Sequence, residues 1–234
     1  MRTHALFLTT ALAAGLLAAA PTAAAAPSGL SGDFNGDGHR DLALAAPYAA
    51  LPGKGMSGYA AVGYGTSAGI STAKRTVVHQ DSTGVPGSAE AEDAFGAALA
   101  VADTNGDGYG ELAIGVVFED IGEDEDTGSV VVMRGSAAGV SGTGAKNLTQ
   151  STSGVPGAAE DMDYFGSDVH LSDVTRDGRA DLAVTAGFEN EGVGAVWTLR
   201  STTAGVSTAG AKSFGSSAVG MPTEYGAFGA NLAN

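Results

Sequence analysis

Residues 33–41 read DFNGDGHRD, and residues 42–47 continue as LALAAP. Oxygen-bearing side chains stand at positions 1, 3, 5 and 9 of this loop, as Asp33, Asn35, Asp37 and Asp41, with glycine at positions 4 and 6. One such loop is a weak signal, because it could open an EF-hand or form a polar turn. Its recurrence decides the fold. DTNGDGYGE starts at Asp103 and DVTRDGRAD at Asp173, so three acidic loops lie 70 residues apart, and each runs into an apolar segment. A fixed period of this length is the mark of a repeat architecture.

The repetition extends beyond the loops. GYAAVGYGTSAGIS from Gly58 aligns with GSVVVMRGSAAGVS from Gly128, and GAVWTLRSTTAGVS follows from Gly194 at a spacing of 66. DSTGVPGSAEAEDAFG from Asp81 aligns with STSGVPGAAEDMDYFG from Ser151. Short apolar runs punctuated by glycine read as strands, and no run after residue 26 keeps helical spacing. Each unit therefore predicts a strand opening on Phe-Gly, the acidic loop, a second strand, a variable loop, a third strand, a tight turn and a fourth segment. Four short antiparallel strands per unit is the content of a propeller blade. The expectation is an all-β fold of β-propeller-type blades, with units at about 28–94, 95–164 and 165–227 and a partial one at 228–234. At about 70 residues per blade a seven-bladed ring needs roughly 490, so three units predict an incomplete propeller or half of an oligomeric one.

These residues resemble the FG-GAP repeat, found in the β-propeller head of integrin α-subunits and in bacterial secreted proteins. The FG half stands at Phe95-Gly96, Phe165-Gly166 and Phe228-Gly229. The GAP half stands at Ala45-Ala46-Pro47 and, degenerately, at Gly115-Val116-Val117 and Thr185-Ala186-Gly187. The resemblance implies a short calcium loop between the two halves and an extracellular binding or adhesion module.

The chain of 234 residues carries 26 acidic and 11 basic residues, for a net charge of −15. Nucleic acids and anionic membrane surfaces select for Lys and Arg, so neither is an expected partner. Residues 1–26 pair Arg2 and His4 with an apolar run and small residues before Pro27, which reads as a secretory signal peptide cleaved near Ala24–Ala26. Its apolar run is shorter than a membrane span needs. The protein is expected to be secreted. It has no cysteine, so its loops need another means of restraint.

Ca²⁺ takes six to eight hard oxygens at ~2.3–2.6 Å. In the first loop these would come from Asp33, Asn35, Asp37, Asp41 and the carbonyl of His39. The second offers Asp103, Asn105, Asp107, Glu111 and the carbonyl of Tyr109. The third offers Asp173, Thr175, Asp177, Asp181 and the carbonyl of Arg179. Thr175 is a poorer donor than Asn or Asp, and Arg176 adds positive charge. An EF-hand would close on a bidentate Glu at position 12, where this chain has Leu44, Ile114 or Val184. A structural calcium ion per loop is the expected cofactor.

GTSAG at Gly65–Gly69 matches a nucleophile elbow, but the same turn carries Ala137 in the second unit, so Ser67 reads as a turn residue. His79 and His170 do not recur. Trp197 reads as core, the three Phe of the FG halves as packing between blades, and the acidic run Phe118–Gly128 as a solvated loop. With no catalytic set, the chain is expected not to be an enzyme. Its expected partner is an extracellular protein or a glycan. The alternatives are an accessory fragment of a secreted hydrolase and a calcium-dependent lectin-like sugar binder. The missing FG strand before Asp33 and the spare one at Phe228–Asn234 suggest a homodimer formed by strand exchange.

Overall fold

The computed structural model describes residues 27–222 and 224–233; the stretch 1–26, read from sequence as a signal peptide, lies outside them. The first sheet holds β1 (Leu42–Ala46), β2 (Tyr59–Gly63) and β3 (Arg75–Val78). The second holds β4 (Phe95–Ala102), β5 (Glu111–Val116), β6 (Ser129–Arg134) and β7 (Ser141–Leu148). The third holds β8 (Phe165–Ser172), β9 (Asp181–Ala186), β10 (Ala195–Leu199) and β13 (Lys212–Gly215), with a small β11–β12 hairpin (Ser201–Thr202 and Gly205–Val206). Strand order within each sheet follows the chain, all antiparallel, so each sheet is a meander. Among the described residues the sheets do not close into a ring. The fold is all-β, an incomplete propeller of three blades, as the repeat predicts. Among the described residues the first blade has no counterpart of the strand that β4 and β8 supply in the others.

The middle blade shows why the apolar runs are nearly continuous. On β5, Leu112, Ile114 and Val116 face the first blade, while Ala113 faces the third. On β6, Val131 and Met133 face the first blade and Val130 and Val132 the third. Side chains alternate across a strand, so a sheet covered on both faces must be apolar at every position. Two cores result, one between each pair of blades. Phe34, Phe95 and Tyr64 anchor the first, Phe165 and Trp197 the second. Trp197 is buried, packs edge-on against Phe165 with ring centres 5.3 Å apart, and donates its indole N–H to the Pro156 carbonyl. Full burial of such side chains is worth about 1.5–3 kcal/mol each.

The FG residues join the blades through their backbone. The Phe95 amide donates to the Ser57 carbonyl at 3.0 Å, and the Phe165 amide to the Thr127 carbonyl at 2.8 Å. The residue before each Phe is left-handed, Ala94 at φ 55° and Tyr164 at φ 58°. Between Phe and the regular ladder the register shifts, from Phe95 to Leu99 and from Phe165 to Val169. The tail repeats this entry. Ala227 has φ 44°, and the Phe228 amide donates to the Val193 carbonyl at 2.8 Å. Residues 228–233 nevertheless form no strand. That corrects the expectation of a strand there. The docking of an FG pair needs only the preceding blade, whereas a strand needs a neighbour to pair with, and the described residues provide none.

The tightest of these joints is at Gly128, with φ 82°, where a side chain's first carbon would lie 2.2 Å from the Phe165 carbonyl oxygen. Gly122 has φ 75° with nothing within 4 Å. Gly122→Ala should cost about 1 kcal/mol, the left-handed strain alone. Gly128→Ala should cost at least 2–3 kcal/mol more, because the blades must separate. Urea denaturation midpoints of the two variants test the difference.

Candidate functional site

The three acidic loops lie in equivalent places, between the first and second strands of each blade; in the first blade the loop leads into β1. Their local geometry follows from the oxygen spacing. Asp33 accepts backbone N–H bonds from Gly36, Asp37 and Gly38 at 2.7, 3.2 and 2.8 Å. Asp103 accepts from Asn105, Gly106 and Gly108 at 3.1, 2.7 and 2.8 Å. Asp173 accepts from Asp177 and Gly178 at 3.0 and 2.8 Å. Position 3 caps the amide of position 5, as Asn35 to Asp37 at 3.0 Å and Asn105 to Asp107 at 2.7 Å. Position 5 caps position 7, as Asp37 to His39, Asp107 to Tyr109 and Asp177 to Arg179, at 2.9–3.1 Å. These are nested Asx turns, and they leave the carboxylates crowded round one short loop.

The acid at position 9 closes the loop. Asp41 accepts from the amide of Phe34 at 2.8 Å and of Gly65 at 2.7 Å, tying the loop to the end of β2. Glu111 is one methylene longer. It accepts from the Thr104 amide and hydroxyl, both at 2.8 Å, and from the Asn105 side-chain amide at 3.1 Å. Asp181 accepts from the Ser201 amide at 2.9 Å, and its other oxygen is buried with no partner.

The loops are stitched to each other, which their sequence does not announce. The Gly110 amide donates to the Asp33 carbonyl at 2.9 Å, and the Ala180 amide to the Asp103 carbonyl at 2.8 Å. Tyr109 lies over Gly36, and the Arg179 stem lies over Gly106. Each loop is thus roofed by the next. Asp33 is buried, Asp103 half-buried and Asp173 exposed, in the order that this roofing dictates. In the third loop position 4 is Arg176, held left-handed at φ 60° where the other loops have glycine.

Charge is treated differently in the three loops. Burial pushes Asp41 up, against the bonds from Gly65 and Phe34, and the charges of Asp33 and Asp37 add to the rise. Burial pushes Glu111 up to about 7, opposed by the Thr104 bonds and reinforced by Asp107 and Asp103. In both loops the carboxylates repel one another. In the third loop the Arg179 guanidinium sits 2.6 Å from Asp177, so a cation of the chain itself is already there. Arg176, read from sequence as the third loop's positive charge, makes no ion pair among the described residues; Arg179 takes that place. His39 stands 3.3 Å from Asp37. Among the described residues no three His, Asp or Glu side chains are set to hold an ion by themselves. The first two loops add an amide oxygen and a backbone carbonyl to their carboxylates, which is a hard-oxygen donor set. The third adds Thr175, whose hydroxyl is buried without a partner.

Ser67 is exposed at the tip of a tight turn in which Thr66 bonds the Gly69 carbonyl. Ser136 and Thr202 make the same bond to Gly139 and Gly205 in the other blades. Phe95 and Phe165 are fully buried.

The FG-GAP repeat family model matches residues 25–63, 95–133 and 165–199. Two curated proteins are similar to the chain, the phosphatidylinositol-glycan-specific phospholipases D of Mus musculus and Rattus norvegicus. Each is 30% identical over 158 residues, covering 68% of this chain and 18% of the phospholipase. The matched stretch is therefore less than a fifth of those proteins' length.

Glu111 titrates near 7 in the folded chain, against 4.5 for an ordinary glutamate. Folding favours its protonated form, so the stability it lends is full below the ordinary value and is lost as pH rises through about 7. In chelator, the melting temperature of wild type should fall between pH 5 and 7.5 by several degrees more than that of Glu111→Gln. Parallel melting curves for the two proteins would refute this.

Proposed function

We propose that this chain, which carries three FG-GAP repeats, is a secreted, calcium-stabilised binding module with no catalysis of its own. One observation supports it above others: the first two acidic loops crowd carboxylates at the same place in successive blades, and among the described residues no Lys or Arg forms an ion pair with them. Calcium would be held by Asp33, Asn35, Asp37, Asp41 and the His39 carbonyl, and by Asp103, Asn105, Asp107, Glu111 and the Tyr109 carbonyl. The ion would compensate the burial, and the lesser repulsion between carboxylates, that raise Asp41 and Glu111, and would restrain loops that no disulfide can. At Asp177 the Arg179 guanidinium stands in for such an ion, so the third loop, Asp173 to Asp181, takes calcium more weakly.

In this reading the loops are structural, and an extracellular protein or a glycan is bound by the face that the blades present. The similarity to two phospholipases D supports a second reading, an accessory module of a secreted hydrolase. The absence of a helix long and apolar enough to cross a membrane among the described residues is compatible with both.

The open side of the first blade supports an assembly. Among the described residues β1 pairs with β2 alone, and Leu42 and Leu44 on it are nearly half exposed. A cavity of about 540 Å³ lies between β1, β4, β8 and Leu232. We propose that a strand from a second copy of the chain, its Phe228–Leu232 segment, pairs with β1 and covers this edge. An unpaired strand edge is a template for such pairing.

EDTA should lower the melting temperature by several degrees and added calcium should restore it. A stripped sample whose melting does not respond to calcium refutes the calcium reading. Binding arrays of matrix proteins and glycans should respond only with calcium present, and a flat response throughout refutes the binding module. For the assembly, light scattering should show a dimer at micromolar concentration, and Leu44→Lys should give the monomer. A wild-type monomer at every concentration refutes the exchange.

A further inference from the structure

One pair of positions reaches across each joint between blades. It lies at the end of β2, β6 and β10 and on β3, β7 and β13. The first blade has Tyr64 and Thr76 there, the second Arg134 and Lys146, the third Arg200 and Lys212, at spacings of 70 and then 66. The register is the same in all three, with Val62 opposite Thr76, Val132 opposite Lys146 and Thr198 opposite Lys212. At the first joint the Tyr64 and Thr76 hydroxyls bond each other at 2.7 Å, and the Val140 amide donates to the Tyr64 hydroxyl at 3.1 Å. At the second, the Arg134 guanidinium donates to the Ala204 carbonyl at 2.8 Å, and the Lys146 ammonium to the Ala204 and Val206 carbonyls at 3.3 and 2.7 Å. Each pair therefore grips the same tight turn of the following blade.

The third pair has no such turn before it among the described residues. Arg200 and Lys212 are exposed, and neither forms an ion pair there. The same edge is open nearby. At the two joints Gly84 packs on Gly142 and Gly154 on Thr208, with Val85 and Val155 buried beside them. Their counterparts on the third blade are Gly220 and Met221, 66 residues on from Gly154 and Val155. A side chain at Gly220 would meet nothing within 4 Å, and Met221 is 60% exposed. The first blade is open at the complementary place. Its turn, Thr66 to Ile70, is exposed throughout. Ile70 is 44% exposed, whereas Val140 and Val206, which hold its place in the other blades, are 4% and 2% exposed. The described residues thus carry both halves of one further joint. The halves cannot meet within one copy, because the second blade stands between them.

We propose that Arg200 and Lys212 clamp the Thr66–Ile70 turn of a second copy of the chain, donating to its Ala68 and Ile70 carbonyls as Arg134 and Lys146 do to Ala204 and Val206. The occupant is a second copy because Ala68-Gly69-Ile70 repeats the gripped Ala204-Gly205-Val206 almost residue for residue. The contact continues an interface that the chain already makes between its own blades. Hydrogen bonds from charged donors are stronger than neutral ones, and burying Ile70 and Met221 adds apolar area. A two-fold axis makes the contact twice, so two copies satisfy both open edges. The clamp rests on the assembly reading, in which Phe228–Leu232 of the partner covers β1, and adds to it the opposite edge of the same blades.

Sedimentation equilibrium of the full chain tests this in about 0.15 M salt, where repulsion between two chains of net charge −15 is screened beyond ~8 Å. Arg200→Ala/Lys212→Ala should raise the dimer dissociation constant about tenfold or more. Ile70→Asp should do the same from the other side. These side chains are exposed, so circular dichroism should not change; if it does for Ile70→Asp, Ile70→Ser takes its place. An equimolar mixture of the two variants should associate more tightly than either alone, since each mixed pair keeps one of its two joints intact. Damage to the fold of either variant would not produce that rescue. Variants that pair as wild type does, or a mixture no tighter than its components, overturn the clamp. If Leu44→Lys still gives the monomer in that case, the strand exchange stands without the clamp. If Leu44→Lys stays dimeric while the clamp variants weaken and the mixture recovers, the clamp stands without the exchange. A wild-type monomer at every concentration overturns both.

Discussion

Two backbone hydrogen bonds, from Gly110 to the Asp33 carbonyl and from Ala180 to the Asp103 carbonyl, set how each acidic loop meets the next. They bring like charges together at one end of the blades. The Phe amides of the FG pairs fix the other side of the same joint. Both contacts use main-chain atoms, so the spacing between blades is set by the peptide geometry and tolerates little. This is why glycine stands at Gly58 and Gly128, where the Phe95 and Phe165 backbones pass closest. The two apolar cores fill the space that these contacts define.

From that constraint follows a gradient along the chain. A loop is buried only if another loop follows it. Asp33 lies under the second loop, Asp103 is half covered by the third, and Asp173 has no described cover. Burial raises the cost of charge, and the chain answers differently at each step. The second loop holds Glu111 near neutrality by burial, while the third puts Arg179 on Asp177. An exposed loop needs less help, since water screens it.

The propeller class, the strand positions and the acidic loops were legible because they are local and periodic. Alternation on β5 and β6, the DxNxDG spacing and the FG pairs each act within a few residues. Trp197 as core was legible for the same reason, since it aligns with Val131 in a buried strand. The hydrogen bonds from Gln80 to Glu119 and from Gln150 to Glu189 were not. Their partners are 39 residues apart and meet only when the end of one blade's last strand lies against the next blade's loop. The 70-residue recurrence of each residue was the signal that could have found them. The covering roles of Tyr109 and Arg179 were hidden likewise, because sequence spacing shows a residue's own loop and not the loop beneath it.

The sequence by itself determined the blades, for strand period, turn chemistry and repeat length are written in neighbouring residues. It determined the donor types of the acidic loops as well. Only the tertiary structure decided which carboxylates are buried, which are neutralised by the chain's own cations, and which oxygens face each other across a joint. It also decided that Phe228–Gly229 docks without becoming a strand. Burial and partnering depend on what lies across a gap between blades, and a strand depends on its neighbour. Neither is a property of the segment that carries the residue.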